Sequence, residues 1–218
     1  GGLEDANHAL ATAKSVLGSK HTLVGAACLF VAAVYEKSAM IEYEKSKAKL
    51  FNVDAENEED VLLTPKCKKM MTKALEFYTD AVEPLQFKYD NNISKQSQMA
   101  VRPELGDTFH KIAKLNVKKG SYTPAFEAMH RSLEAYGTNA HAPRGSSSKN
   151  DVHPNAALVW QDLASLHLAS KEYSDAVYAA EKAVELSRQV KKCFYSEKMD
   201  MVPVFAFQIA GDGYGGLH

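Results

Sequence analysis

Apolar side chains recur at three- and four-residue spacing along most of this chain, the period of helices buried on one face. Leu3, Ala6, Leu10, Ala13, Val16 and Leu17 predict an amphipathic helix over 3–17, with a stop at Gly18-Ser19. A longer helix is expected from Thr22 to about Phe51. Its first half, Leu23 to Val34, is apolar almost all round, so it is expected to be the most buried element. Its second half carries Glu36, Lys37, Glu42, Glu44, Lys45, Lys47 and Lys49, so one face there turns to water. Thr64-Pro65 reads as an N-cap followed by proline at the first helical position. The helix it opens carries Met70, Met71, Ala74, Leu75, Tyr78, Ala81 and Val82 and is expected to end near Pro84. Residues 88–98 are polar and contain Asn91-Asn92, which predicts a loop.

Two helical hairpins follow. The first runs from Pro103 to Lys119, turns at Gly120-Ser121 and returns from Thr123-Pro124 to about Tyr136. The second runs from Asn155 to Ala169, turns at Ser170-Lys171-Glu172 and returns from Ser174 to about Val190. Between them, residues 137–152 hold Pro143, Gly145 and Ser146-Ser147-Ser148, the composition of a flexible insertion. The tail from 193 to 218 differs again. Val202 to Ile209 is dense in apolar residues and is expected to dock, since such a run left in water is a liability. The glycines after it suggest a loose end. The expected division is an N-terminal helical hairpin over 1–60, helical hairpins over 61–192, and a partly docked tail over 193–218.

Composition narrows the function classes. With 26 basic against 27 acidic residues the formal net charge is −1, which excludes a strongly basic nucleic-acid binder at the level of the whole chain. Cys28, Cys67 and Cys193 form no CxxC pair, so neither a disulfide framework nor a cysteine metal site is suggested. An intracellular, cytoplasmic home is expected, or an organelle after removal of a targeting segment. Gly1-Gly2-Leu3-Glu4-Asp5 lacks the basic start and apolar stretch of a signal peptide. The apolar run from Thr22 to Tyr35 is shorter than the roughly 20 residues that span a bilayer, so a core helix is expected there.

The two hairpins repeat a pattern. Trp160, Leu163, Ala164 and His167 are followed by Tyr173, Ala176, Ala180 and Ala183. Phe109, Ile112, Ala113 and Asn116 are followed by Tyr122, Ala125, Met129 and Ser132 at the same spacing. A weaker copy is Ala74, Tyr78 and Ala81. This pattern resembles the tetratricopeptide repeat, and His153-Pro154-Asn155-Ala156 resembles the opening of the longer repeats of kinesin-light-chain-like proteins. The departures are His167 in place of Tyr, Lys171 in place of Gly, Ala180 in place of an aromatic and Arg188 in place of the closing Pro. Small residues at 113, 125, 164, 176 and 183 let helices approach closely. The resemblance implies an all-α fold of tetratricopeptide-like hairpins, a right-handed α-solenoid, joined to the N-terminal long helical hairpin. It also implies a concave groove lined by the first helix of each hairpin. Carried over position by position, that groove holds Asp107, His110, Lys114, Val117 and Lys118, then Leu158, Gln161, Ser165 and Leu168. The two-carboxylate clamp of the chaperone-tail-binding subclass is not expected, because Asp162 stands where Asn belongs.

Candidate chemistry is sparse. The eight histidines show no HExxH and no Cys/His cluster, so no metal or other cofactor is expected. His167 reads as a core residue, and His110 as either a groove residue or a solvated one. Cys28 reads as a packed thiol. Cys67 sits beside Lys66, Lys68 and Lys69, which lower a thiol pKa where it is accessible; an ordinary surface thiol is the alternative. The carboxylates at 54–60 read as a solvated patch that attracts a basic partner. Lys111, Lys114 and Lys118 form a basic stripe, either solvated or suited to an acidic peptide.

The expected function is therefore protein–protein interaction rather than catalysis: a scaffold or adaptor binding a peptide or helix in the groove, with no nucleic acid and no membrane span. One alternative is a structural subunit of a larger assembly whose groove is filled by its own or a neighbour's tail. Another is an enzyme without a recognisable motif, or a ligand-binding helical protein.

Overall fold

Helix ends along this chain are set by a few repeated devices. The structure is a computed structural model that describes residues 2–50, 63–92, 102–138, 153–191 and 208–212. Among these, all regular structure is helical: α1 (Gly2–Leu17), α2 (Thr22–Leu50), α3 (Pro65–Asn92), α4 (Pro103–Lys118), α5 (Tyr122–Ala135), α6 (Ala156–Ala169) and α7 (Tyr173–Lys191). A further helical turn covers 208–212. The all-α expectation holds. Thr64 caps α3, its Oγ1 accepting the Cys67 N–H at 3.2 Å. Helices α4, α5 and α6 end in one and the same way. The N–H groups of Gly120, Gly137 and Lys171 donate to the carbonyls of Val117, Glu134 and Leu168, and the next residue's N–H reaches the carbonyl of Asn116, Leu133 or His167. This closure needs a left-handed residue. Gly120 (φ 72°) and Gly137 (φ 81°) supply it without strain, whereas Lys171 adopts φ 62° with a side chain.

The chain forms two compact units, Gly1–Ser94 and Lys95–His218. In the first, α2 packs against both α1 and α3. Helix α3 thus belongs with α2, and this unit runs on past the boundary expected at residue 60. Tyr78, fully buried, donates from its hydroxyl to Glu36 Oε2 at 2.5 Å, and Tyr35 stacks on Phe77 at 5.6 Å. Lys14 of α1 reaches Asp80 of α3 at 2.8 Å. Helix α3 does not end near Pro84; it continues through that proline to Asn92. A proline inside a helix removes one backbone hydrogen bond and costs about 3 kcal/mol in isolation. Here Pro84 and Leu85 are buried, and Gly25 of α2 leaves the space, since a Cβ on it would lie 2.9 Å from Pro84 Cβ. Tertiary packing therefore carries the helix past its weakest residue.

Helix α2 corrects a second expectation. Leu23 and Phe30 are 60 % and 63 % exposed, so its apolar half is not covered all round. Two neighbouring helices enclose only part of a helix circumference, and the rest of that surface stays open. By length and composition alone Thr22–Ala48 is long and apolar enough to cross a membrane, and 33 % of that apolar window is buried.

In the second unit α4 pairs with α5, α6 pairs with α7, and α5 lies against α6. The core gathers Met129, Leu133, Tyr136, Val159, Trp160 and Leu163. Every small residue singled out for close helix approach, Ala113, Ala125, Ala164, Ala176 and Ala183, is fully buried. Trp160 meets Tyr178 edge-on at 5.9 Å. Ile209, from the turn at 208–212, joins this core, so that part of the tail is docked. The carboxylates at 54–60, most of the 137–152 insertion, Cys193, the Val202–Phe207 run and Gly213, Gly215 and Gly216 lie outside the described residues, whereas Gly211 lies in the turn at 208–212.

Candidate functional site

The residues expected to line a groove fall on α4 and α6, the first helix of each hairpin, and one polar cluster joins them. His110 Nε2 lies 2.7 Å from Asp162 Oδ2, and Lys114 Nζ lies 3.3 Å from the same oxygen. His110 and Lys114 share a face of α4 because they are four residues apart. Asp162 is 52 residues away from His110 in sequence, yet meets both across the gap between helices. Burial pushes the Asp162 carboxyl up, but the hydrogen bonds and positive charge of His110 and Lys114 outweigh it and hold the group below its usual value. His110 is thus neither solvated nor free. Asp162, noted in the sequence only as a misfit to the carboxylate clamp, is the anchor of the cluster.

Asp107 has a different role. It accepts a hydrogen bond from the Tyr136 hydroxyl and another from Asn155 Nδ2 at 3.0 Å. It therefore ties α4 to the end of α5 and the start of α6, and its oxygen is occupied. The Tyr136 ring stacks on His153 at 4.9 Å, and burial together with the Asp107 carboxylate pushes the Tyr136 hydroxyl well above its usual range. His153 Nδ1 accepts the Asn155 N–H at 3.3 Å, which requires that nitrogen to be unprotonated. Burial lowers the His153 pKa, opposed by the charge of Asp107. Sequence reasoning marked Tyr136 and Asn155 only as helix ends and missed their contacts with Asp107, because those partners come from other elements and no local spacing marks them.

The remaining groove residues present a mixed surface. Val117, Leu158 and Leu168 are half-buried and pack on the core. Gln161 is half-buried, and Lys118 and Ser165 are exposed. The Ser165 hydroxyl donates to the Gln161 carbonyl at 3.1 Å. The α4 face thus carries cations over a strip of apolar edges, with Asp162 offsetting Lys114 and His110.

His167 is largely buried, as expected. Its ring lies 4.8 Å from that of Phe126, and Nδ1 is 2.6 Å from Glu172 Oε2. His167, Glu172 and Asp175 place one ligand atom each within 4.8 Å of one another at the α6–α7 turn. The Glu172 contact already occupies Nδ1. Its 5- and 8-residue offsets match no metal-ligand motif in sequence. The Cys67 expectation fails. That thiol is fully buried and its Sγ donates to the Ala39 carbonyl at 3.4 Å, so neither a surface thiol nor a lysine-activated one is present. Cys28 is fully buried, and burial raises its pKa.

Comparison of the chain with protein-family models and with curated protein sequences finds no match.

Proposed function

We propose that this protein is an interaction scaffold that holds a peptide or helix of a partner on the face shared by α4 and α6. The observation that carries the reading is the His110–Asp162–Lys114 cluster, which links the first helices of two consecutive hairpins through their side chains. Half-buried Val117, Leu158 and Leu168 offer apolar edges for affinity. The lysines of α4 offer charge that orients a partner bearing acidic groups. The tetratricopeptide-like spacing of the buried residues supports the same reading, because that architecture presents such a face.

The test is capture of partners from the native source with the wild-type chain and with a Lys114→Glu/Lys118→Glu variant, followed by titration of the purified partner. Binding by the wild type that weakens at least about tenfold in the variant supports the reading. A partner bound equally by both, with helicity unchanged, moves the interface off this face. Lys118→Glu alone, which leaves Asp162 and its contacts intact, separates lost binding from a disturbed cluster.

A second reading is favoured by one observation. Ile209 is buried in the core of the second unit, so the chain's own tail occupies apolar surface there. A structural subunit that seals its surface with its tail would behave this way. Deletion of residues 202–218 distinguishes the two: a scaffold gains or keeps partner binding, whereas a self-sealed subunit loses stability and exposes apolar surface.

A further inference from the structure

At the α6–α7 turn an imidazole and two carboxylates converge from backbone that is itself pinned. His167, Glu172 and Asp175 each bring one ligand atom to within 4.8 Å of the others. The His167 ring lies against Phe126 of α5 at 4.8 Å and its side chain is only 16 % exposed, so the direction of Nδ1 is set. The Glu172 N–H donates to the His167 carbonyl at 2.9 Å, which ties the start of α7 to the end of α6. The Ala176 N–H donates to the Glu172 carbonyl at 2.9 Å, so Glu172 and Asp175 stand three residues apart on one face of the first turn of α7. The ordinary use of an acidic residue at the third position of a helix is to reach back to the N–H of the capping residue. Here that donor is the Glu172 N–H, and the His167 carbonyl already has it. Among the described residues, Asp175 has neither a hydrogen-bond donor nor a cation as partner, and no lysine or arginine pairs with Glu172. Two exposed carboxylates thus face one imidazole.

We propose that His167 Nδ1, Glu172 and Asp175 bind a divalent transition-metal ion, Zn2+ or one of its chemical neighbours, with water completing the coordination. The donor set selects the ion. An imidazole nitrogen favours Zn2+, Co2+, Ni2+ or Cu2+ over Mg2+ and Ca2+, which take oxygen ligands. Three protein ligands with a fourth position left to water is an established arrangement for tetrahedral Zn2+. The geometry needs little adjustment. Ligand atoms about 2.1 Å from a tetrahedral ion lie about 3.4 Å from one another. The 2.6 Å contact between Nδ1 and Glu172 therefore opens by under about 1 Å, and wider separations close by under about 1.5 Å. Glu172 and Asp175 are exposed and make these shifts by side-chain rotation, while His167 stays on Phe126. The ion takes the place of the proton that Nδ1 shares with Glu172. Once bound, it joins α6 to α7 across their turn and stabilises the second hairpin, because the unfolded chain has no such arrangement of ligands.

Calorimetric titration of the metal-free full chain with Zn2+ tests this, in a Cys193→Ser background that removes a competing thiol. The expected result is a single Zn2+ per chain, bound at least about tenfold more weakly after Asp175→Asn or His167→Gln. Asp175 is exposed, so circular dichroism of Asp175→Asn should match the parent chain, and its lost affinity then reads ligation rather than unfolding. Zn2+ should also raise the urea midpoint reported by the fluorescence of Trp160, the one tryptophan of the chain. A chelator should reverse that gain, and Asp175→Asn should abolish it. Co2+ in place of Zn2+ should give the visible absorption of a tetrahedral site, lost in His167→Gln. Absence of Zn2+ binding, binding that either variant leaves unchanged, or Mg2+ held as tightly as Zn2+ overturns the proposal.

Discussion

Replacing Gly106 by Ala isolates what holds the first hairpin to the second. In an open helix this change stabilises by about 1 kcal/mol, because Ala restricts the unfolded chain and Gly does not. In α4 the added Cβ would lie 2.5 Å from Tyr136 Cε1 and 2.8 Å from Cδ1 and Cζ. The ring cannot yield cheaply. It is fully buried, its hydroxyl is held by Asp107, and one face is stacked on His153. Overpacking of this kind costs about 1–3 kcal/mol. Displacing the hydroxyl from the carboxylate costs about 1.5–3 kcal/mol more. Net of the propensity gain, Gly106→Ala should destabilise the second unit by about 2–4 kcal/mol. Trp160 is the single tryptophan and is buried in that unit, so its fluorescence during urea unfolding reports on the right part of the chain. The expected change is a fall in midpoint of roughly 1–2 M urea. In a Tyr136→Ala background the same substitution should instead be neutral or stabilising, since the obstructing ring is gone. A midpoint that rises for Gly106→Ala in the wild-type background would refute the argument, because it would show that Tyr136 is free to move.

Four further outcomes follow from the geometry. Lys171→Gly should raise stability by about 0.5–1 kcal/mol in the same fluorescence assay, because Gly relieves the left-handed backbone that Gly120 and Gly137 adopt at equivalent turns; a loss would show that the Lys171 side chain contributes more than its strain. Asp162 has a folded pKa below its unfolded value near 3.8, so its stabilisation is complete above that value and is lost as pH falls through the folded one; urea midpoints measured from about pH 6 to 2.5 should fall less steeply at the acid end in Asp162→Asn. His153, whose folded pKa is lowered below 6.5, contributes stability that is complete above pH 6.5 and declines as pH falls toward the folded value; His153→Gln should flatten that decline, and an unchanged slope would remove His153 from the account. In the Cys193→Ser chain, Cys28 and Cys67 should resist a thiol reagent in buffer and both react in urea; rapid native labelling of Cys67 would mean that its burial between α2 and α3 is transient.

The helices themselves were legible in the sequence, and so was most of their punctuation. Thr64, Gly18 and Gly120 mark ends that local backbone chemistry alone requires, and the apolar period picks out α1, α4 and α6. Two local signals misled for one physical reason. Pro84 and the polar residues 88–92 look like a stop, and Lys66, Lys68 and Lys69 look like an activating surround for Cys67. In each case packing against α2 supplied energy that no local scale contains. The charged cluster was half visible. The four-residue step from His110 to Lys114 gives one helix face, whereas the carboxylate facing them comes from an element some 50 residues on.

What the amino-acid sequence determined by itself is the set of helices, the turns that close them, and which small residues must be interior. These depend on interactions within a few residues along the chain. What only the tertiary structure decided is partnership. It paired α3 with α2, placed Asp162 between His110 and Lys114, closed the Asp107–Tyr136 contact, and left the Leu23–Phe30–Ile41 stripe of α2 uncovered. The pattern of α2 shows that its first half is apolar almost all round. How much of that surface is covered depends on how many neighbours reach it, and that is a property of the folded arrangement rather than of any segment.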